Sequence, residues 1–481
     1  MLKLYYSLLI FACIFNILIT HLSKLDYNTI MLTKSDFLLY LKAPLHLWAD
    51  KHNKLNKLVP SVYEQHLMKQ GYEVEKLAHK LLPHATWQEA YVSDEFEIRR
   101  DALIKNTDGS EDLYEVKSST TIKKEHLYDV TFQSIVMKDT TKLNKVFIVT
   151  LNKDYVFKDE LNIKQLFLIT NVTEEVKDLT DEVNEKMREA VKVIEKDKPD
   201  HVENCLDPKT CPSIDLCYPN LPKKTIFNIP MLNPKKKREL VDSKIIDIND
   251  LSDQFELSEK QRRIANVIKQ NKPYLNSTGL KTFLDSFVYP IYFLDYETYP
   301  LAIPIYDNYK TYQHMVFQYS LHIVSEDQSA THTEYLETEL GDPSRNLIKR
   351  LKEDIGGTGS VLVWNKTFEF ERNKDMAILY PEYKEFLESV NSRMIDLADF
   401  INKELYIHPD FLGSWSIKNV LPVMVPDLSY KKLKVNKGDQ AMLVWWKLIH
   451  SIDKSIALDL LEYCGLDTIA MVKIWGKLKN Y

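Results

Sequence analysis

The sequence predicts an α/β protein of two mixed domains separated by a helical connector, and three observations carry that prediction. Its 481 residues are too many for one ordinary core, so two or three domains are expected. Short apolar runs bounded by turn residues alternate with longer amphipathic stretches in both halves. Between the halves, residues 225–290 hold only short helical patterns. The expected divisions are an N-terminal extension (1–30), a first domain (31–220), the connector (221–290) and a second domain (291–481).

A composition of 44% hydrophobic and 27% charged residues is that of a folded soluble chain. A net charge of −6 is unlike a passive nucleic-acid coat protein, which would be basic. It does not exclude an enzyme that meets nucleic acid through divalent ions, because bound ions reverse the local sign. Residues 5–20 are apolar, with Lys3 before them. They are short against the roughly 20 residues of a membrane span, and no small-x-small cleavage site follows. Met31 directly precedes domain-like sequence, so a cytoplasmic protein without stable membrane association is expected. The alternative is an anchor through residues 5–20.

In the first domain, Ser35 or Asp36 caps an expected helix within residues 32–48. Val62, His66, Met68, Val74, Leu77 and Leu81 mark an amphipathic helix. Strands are expected over 97–104 and 112–117, joined by a turn carrying Asp108-Gly109. Residues 146–151 read as a buried strand and 173–198 as a charged helix. In the connector, residues 258–269 read as a helix.

The second domain opens at Tyr292 with an apolar strand that ends in Asp295 and Glu297. Alternate strand residues share a face, so both carboxylates can address one ion, and paired hard oxygens suit magnesium or manganese. Residues 318–324 look like the neighbouring strand. A strand from Val361 runs into a loop and helix carrying Asn365 and Glu369. Tyr463 and Asp467, four apart in a helical stretch, share a helical face, where a carboxylate can bind metal while the phenol orients water.

Asp295-x-Glu297, Asn365-x-x-Phe368-Glu369 and Tyr463-x-x-x-Asp467 resemble, in order, the three exonuclease motifs of the DEDD superfamily. These are DnaQ-like 3′–5′ exonucleases on an RNase H-like fold, and Tyr463 points to the tyrosine subclass. The resemblance implies two metals, Mg2+ or Mn2+, on Asp295, Glu297, Glu369 and Asp467, with Tyr463 positioning the water for in-line attack on a phosphodiester. The second motif departs from the usual aspartate, with Glu369 in its place and Glu371 as the alternative. Asp396 is a further acidic candidate, set against a capping role. Ser414 or Ser416 can cap a helix, and Asn365 and Lys418 are candidate substrate contacts. For Lys418 a plain exposed lysine is the competing reading.

In the first domain Asp101 lies within one strand, and Glu115 and Lys117 end the next on one face. Two carboxylates can hold a magnesium while an ammonium helps activate water. The pattern resembles the PD-(D/E)XK nuclease core, without its proline, and Gln133 resembles the helical glutamine of RecB-type nucleases. Glu75 stands where that group carries an extra ligand. Cys205, Cys211 and Cys217 follow closely, suggesting a metal site rather than a disulfide framework. RecB-like nucleases carry such a trio with a distant cysteine around a 4Fe–4S cluster, but the matching position here is Ala43. His201 is a candidate fourth ligand for Zn2+. An iron–sulfur cluster, zinc and a lost site all stay open.

Together the halves resemble an uncharacterised bacterial family that fuses a RecB-like nuclease domain to a DEDD exonuclease domain, covering 31–481. The implied activity is a nuclease acting on nucleic acid, DNA before RNA. The alternative is a nucleic-acid-binding protein in which one or both sites have decayed.

Overall fold

The computed structural model describes residues 31–56, 60–93, 95–138 and 141–481. The expectations for residues 1–30 lie outside them. The described chain is mixed α/β, built around two sheets.

Strand β1 (Leu32–Thr33) leads directly into helix α1 (Lys34–Lys42), and α2 (Pro44–Lys51) follows. Helix α1 begins earlier than expected. Thr33 is its cap, and Asp36 closes a capping box from the third helical position. Extended Ala43 breaks the run and Pro44 opens α2, a first-turn position where the missing N–H costs nothing. Helix α3 (Val62–Leu81) follows the expected span, but the spacing of its apolar residues misjudges its face. Val74 and Ala78 are buried while Val62 and Met68 are exposed.

Strands β2 (Thr86–Val92), β3 (Phe96–Lys105) and β4 (Glu111–Lys117) form an antiparallel run, with Gly109 (φ 81°) making the turn before β4. Helix α4 (Lys124–Met137) then crosses to β5 (Leu143–Leu151), which lies parallel to β4, and β6 (Phe167–Asn171) returns antiparallel. The long helix α5 (Thr173–Ile194) buries Val176, Val183, Met187 and Ala190 against α4 and the sheet.

The connector contains α6 (Pro234–Asp242), α7 (Glu259–Gln270) and α8 (Ser277–Asp285). The helix expected over 258–269 is α7, and Ser258 is its cap. A small core of its own forms around Ile226, Leu240, Ile264 and Ile268, and it reaches Ile407. The two-residue strand β7 (Tyr274–Leu275) pairs here with a distant segment, Tyr406–Ile407.

The second sheet has β8 (Ile291–Pro300) at its centre, with β9 (His314–Val324) and β10 (Ala330–Leu336) antiparallel on one side. On the other side β11 (Val361–Val363) and β12 (Met394–Asp396) run parallel to β8. Sandwiched between helices, β8 is apolar on both faces. Tyr292 and Leu294 face α9 (Ser344–Asp354) and α10 (Lys366–Leu379). Ile291 and Phe293 face α12 (Ile417–Met424), α13 (Gly438–Ile449) and α14 (Ala457–Leu478), α11 being Lys384–Ser392. Strand alternation therefore directs Asp295 and Glu297 to the α14 face.

Gly359 fixes the start of this arrangement. Its φ is 91°, and a Cβ there would stand 2.0 Å from the Pro290 carbonyl oxygen. Gly359→Ala is expected to cost at least about 2 kcal/mol, from left-handed strain plus displacement of the β8 entry. Equilibrium urea unfolding would measure it, and an unchanged midpoint would contradict the packing described here.

The two halves touch through α3. The Gln70 side chain accepts from the Ala302 backbone N–H at 2.7 Å, and His66 Nε2 lies 3.3 Å from Tyr299 Oη. No helix among the described residues is long and apolar enough to cross a membrane.

Candidate active site

The middle of β8 and the middle of α14 bring Asp295, Glu297 and Asp467 together. One oxygen from each lies within 4.8 Å of the others. At that spacing, with an effective dielectric of about 20, each pair of full charges repels by roughly 3 kcal/mol. Burial and this repulsion shift the acids in the same direction. Burial first, then Asp467, holds Asp295 well above the usual carboxylate range. Glu297 is raised by burial and then by Asp295. Asp467 is pushed up to about 6 by burial. Glu369, in the first turn of α10, is also raised, by burial and then by Asp295. It is 2% exposed, and its Oε2 has no hydrogen-bond partner.

One lysine offsets this charge at all three clustered acids. Lys418 lies half-buried at the start of α12 and lowers Asp295, Glu297 and Asp467. The exposed-lysine reading is thereby corrected: Lys418 Nζ donates to Tyr463 Oη and to the Asn436 carbonyl, both at 3.2 Å. It also lies over the rings of Tyr430 and Tyr463. Burial and the neighbouring Asp467 keep the Tyr463 phenol protonated far into the alkaline range.

Three residues absent from the sequence reading complete the pocket wall. Tyr430 Oη donates to Asp467 Oδ1 at 2.5 Å, Cys464 Sγ lies 3.7 Å from Asp295 Oδ2, and Gly438 packs beside Glu297 and Tyr463, where a Cβ would stand 3.8 Å from the Glu297 carboxylate and 3.9 Å from the Tyr463 hydroxyl. Cys464 was legible in principle, lying between Tyr463 and Asp467. Tyr430 comes from a turn with no periodic signal.

Asp396 has the structural role set against it. Its two oxygens accept from the backbone N–H groups of Asn365, Lys366 and Ala398. This holds Asn365 exposed in a left-handed conformation (φ 88°) at the cap of α10, which aims Glu369 inward. Glu371 pairs with Lys374 instead. Ser416 caps α12 by position, with the Ser414 hydroxyl accepting its N–H.

The first sheet also gathers its expected residues. Glu115 Oε1 accepts from Lys117 Nζ at 2.7 Å, and Gln133 donates to Glu115 Oε2 at 2.8 Å. Asp101 accepts from the Val116 N–H, and Gln88 bridges Asp101 to Glu75. Two further members are Asp129, which binds Lys117 at 2.5 Å, and Lys34, which binds Glu115 at 2.7 Å. Asp129 stands one helical turn before Gln133, a signal that was available. Lys34 is 81 residues from Glu115, and only the tertiary fold brings it in.

This cluster neutralises itself. Burial pushes Glu115 up, but Lys117 and Lys34 outweigh it and hold the carboxyl below its usual range. Asp101 is left high, at about 7, and Asp129 is raised too, each through burial and then the charge of Glu115.

Cys205, Cys211 and Cys217 meet as expected, with their ligand atoms inside the same 4.8 Å span, but the nitrogen that joins them is His46 Nε2. His201 does not join them and sits exposed in a left-handed turn (φ 61°). Ala43, in the place of the missing cysteine, lies one turn before His46 and is buried.

With this geometry in view, residues 292–416 match a domain of unknown function, DUF2779. The match runs from the start of β8 to the cap of α12, so it includes Asp295, Glu297 and Glu369 but not Tyr463 or Asp467. The chain is 30% identical over 144 residues to the Uncharacterized protein UU173 of Ureaplasma parvum, covering 24% of this chain and 20% of that protein. The chain thus spans about a fifth of that relative's length. The solved structure of SSO0001 aligns with 34% of this chain and 80% of its own at 14% identity, with a TM-score of 0.22.

Proposed function

We propose that the chain is a metal-dependent nuclease whose principal site is the acidic cluster of Asp295, Glu297, Glu369 and Asp467. The observation that carries this reading is charge: three carboxylates, Glu297 and Asp467 buried and Asp295 partly so, share one 4.8 Å span, opposed by a single lysine. The donor set is all oxygen, which suits Mg2+ or Mn2+, and the unpartnered Glu369 Oε2 leaves room for one more bond. Such ions, when bound, supply the positive charge that in-line phosphodiester hydrolysis needs at the attacking and leaving oxygens.

The protein's own groups have distinct tasks. Tyr463 keeps its proton, so it can donate to a water or substrate oxygen. Lys418 holds the phenol in place and presents positive charge to a phosphate. Tyr430 fixes the rotamer of Asp467. The sheet order, with two antiparallel strands on one side of β8 and two parallel strands on the other, supports an RNase H-like reading of 291–481. The succession of α3, three antiparallel strands, α4 and a parallel β5 supports a PD-(D/E)XK-like reading of 31–220. There Asp101, Glu115, Lys117 and Gln133 form a second site in the proposal, one in which Lys34 competes with a metal for Glu115. Nucleic acid, DNA before RNA, is the proposed partner.

The test is hydrolysis of labelled single- and double-stranded DNA and RNA by the full chain with magnesium, manganese or chelator. Cleavage that chelator abolishes is expected. Nucleic-acid binding with no cleavage of any substrate would defeat the enzyme reading and favour a binding protein with decayed sites. Tyr463→Phe is expected to lower kcat about 10–100-fold, the range for groups that orient a metal site, with manganese affinity unchanged. An equal loss of metal binding would place Tyr463 in a purely structural role. Lys117→Ala is expected to remove only the activity that survives in a protein whose Asp295 has been replaced. Full loss from Lys117→Ala alone would reverse the ranking of the two sites.

A further inference from the structure

We propose that His46, Cys205, Cys211 and Cys217 are the four ligands of one tetrahedral zinc ion that locks α2 to the segment leading into the connector. The inference is independent of the nuclease reading, because none of these residues belongs to either acidic cluster.

Geometry distinguishes the metal. A zinc ion with bonds of about 2.0–2.3 Å holds its ligand atoms roughly 3.5–3.8 Å apart. Here all four lie within 4.8 Å of one another, and His46 Nε2 is 3.3 Å from Cys211 Sγ. A 4Fe–4S cube attaches each ligand through a separate iron and needs them spread more widely. The donor set agrees, since three thiolates and one imidazole form a recognised closed structural zinc set with no position left for water. Thiolates also favour zinc over magnesium or manganese, so the chain's sulfur and oxygen sites would sort different ions.

The surroundings are built to hold these residues. Leu45 N–H donates to the Glu203 carbonyl at 3.0 Å, tying the ligand-bearing helix to the cysteine segment. Asn204 donates to the Cys217 carbonyl at 2.6 Å, and the Tyr218 hydroxyl donates to the Cys205 carbonyl. Ala43, Leu45, Trp48, Val202 and Tyr218 wrap the site in one apolar cluster. Arg238 of α6 donates to the Asn204 carbonyl, which links the site to the connector. His46 and Cys211 are 165 residues apart, so the ion would close a long loop and remove much chain entropy from the unfolded state.

The test uses the full chain isolated anaerobically in a thiol-containing buffer. Metal analysis is expected to give close to one zinc per chain, with neither iron nor acid-labile sulfide. Cobalt exchanged into the site is expected to show the sulfur-to-metal charge-transfer and strong visible bands of a tetrahedral thiolate site. His46→Ala is expected to weaken zinc by about tenfold or more, at least the loss that removing a mere supporting partner of a ligand causes. His46→Cys is expected to retain zinc with a cobalt spectrum shifted toward four sulfurs, and His201→Ala to leave the spectrum unchanged. If His46→Ala does not fold, the His46→Cys spectrum decides. Iron with labile sulfide, a disulfide among the three cysteines, or a cobalt spectrum indifferent to His46→Cys would each overturn the proposal.

Discussion

Asp295→Ala is expected to abolish metal-dependent cleavage at the principal site, with a loss on the order of a thousandfold or more in kcat/KM. The magnitude follows from what a bound metal contributes: several kcal/mol of transition-state charge stabilisation, at about 1.4 kcal/mol per factor of ten. Asp295 sits at the junction of the cluster, raising the proton affinity of both Glu297 and Glu369. Its removal therefore takes away a ligand and also relaxes the field that makes the site want a cation. The variant is expected to fold, and even to gain stability without metal, because a buried repulsion disappears. Retained chelator-sensitive cleavage would move the chemistry to Asp101 and Glu115, and Lys117→Ala would then have to abolish it.

The metal-free protein is expected to lose stability as pH rises from about 5 to 8, and divalent metal to restore it most at the alkaline end. The sign follows from the raised carboxyls. In the unfolded chain these acids release their protons near pH 4, whereas the native state holds them to higher pH. The native state thus binds more protons across that window, so rising pH favours unfolding. Asp467, raised from 3.8 to about 6, contributes about 1.4 kcal/mol of this loss by itself, because at 1.36 kcal/mol per pH unit only the step from pH 5 to 6 falls inside the window. Asp295, Glu297 and Glu369 act in the same direction, and so does Asp101 at about 7. Glu115 acts oppositely, but its stabilising contribution is lost only as pH falls below the ordinary carboxylate range, outside this window. His314 and His322, both lowered to about 4 by burial, oppose the loss only up to about pH 6.5, where the unfolded histidines have also shed their protons. Manganese at a hundred times its dissociation constant adds about 2.7 kcal/mol. Thermal unfolding in chelator and in manganese, across pH 5–8, reads both effects. A flat or rising curve in chelator, with equal metal stabilisation at both ends, would contradict the charge-starved description of the cluster. Asp467→Asn is expected to flatten the chelator curve.

The sequence by itself determined the local elements and the groups that one element presents. Alternation along β8 put Asp295 and Glu297 on one face, and helical spacing put Tyr463 and Asp467 on another. The Asp108-Gly109 turn set the hairpin that presents Glu115 and Lys117. These follow from periods of 2 and 3.6 residues, which are local properties of the chain. Only the tertiary structure decided which distant groups meet. Lys34 reaches Glu115 across the first sheet, Tyr430 reaches Asp467 from a turn, and His46 reaches the cysteines in place of His201. Spacing along the chain favoured His201, yet long-range packing of α2 against the 202–218 segment brought in His46. Side-chain burial divided in the same way. The amphipathic count on α3 marked Val62, His66 and Met68 together, but docking against the second half used His66 with Gln70 and left Val62 and Met68 exposed. Whether a face is covered depends on what lands on it, and that is set by the whole chain's packing rather than by any one segment's period.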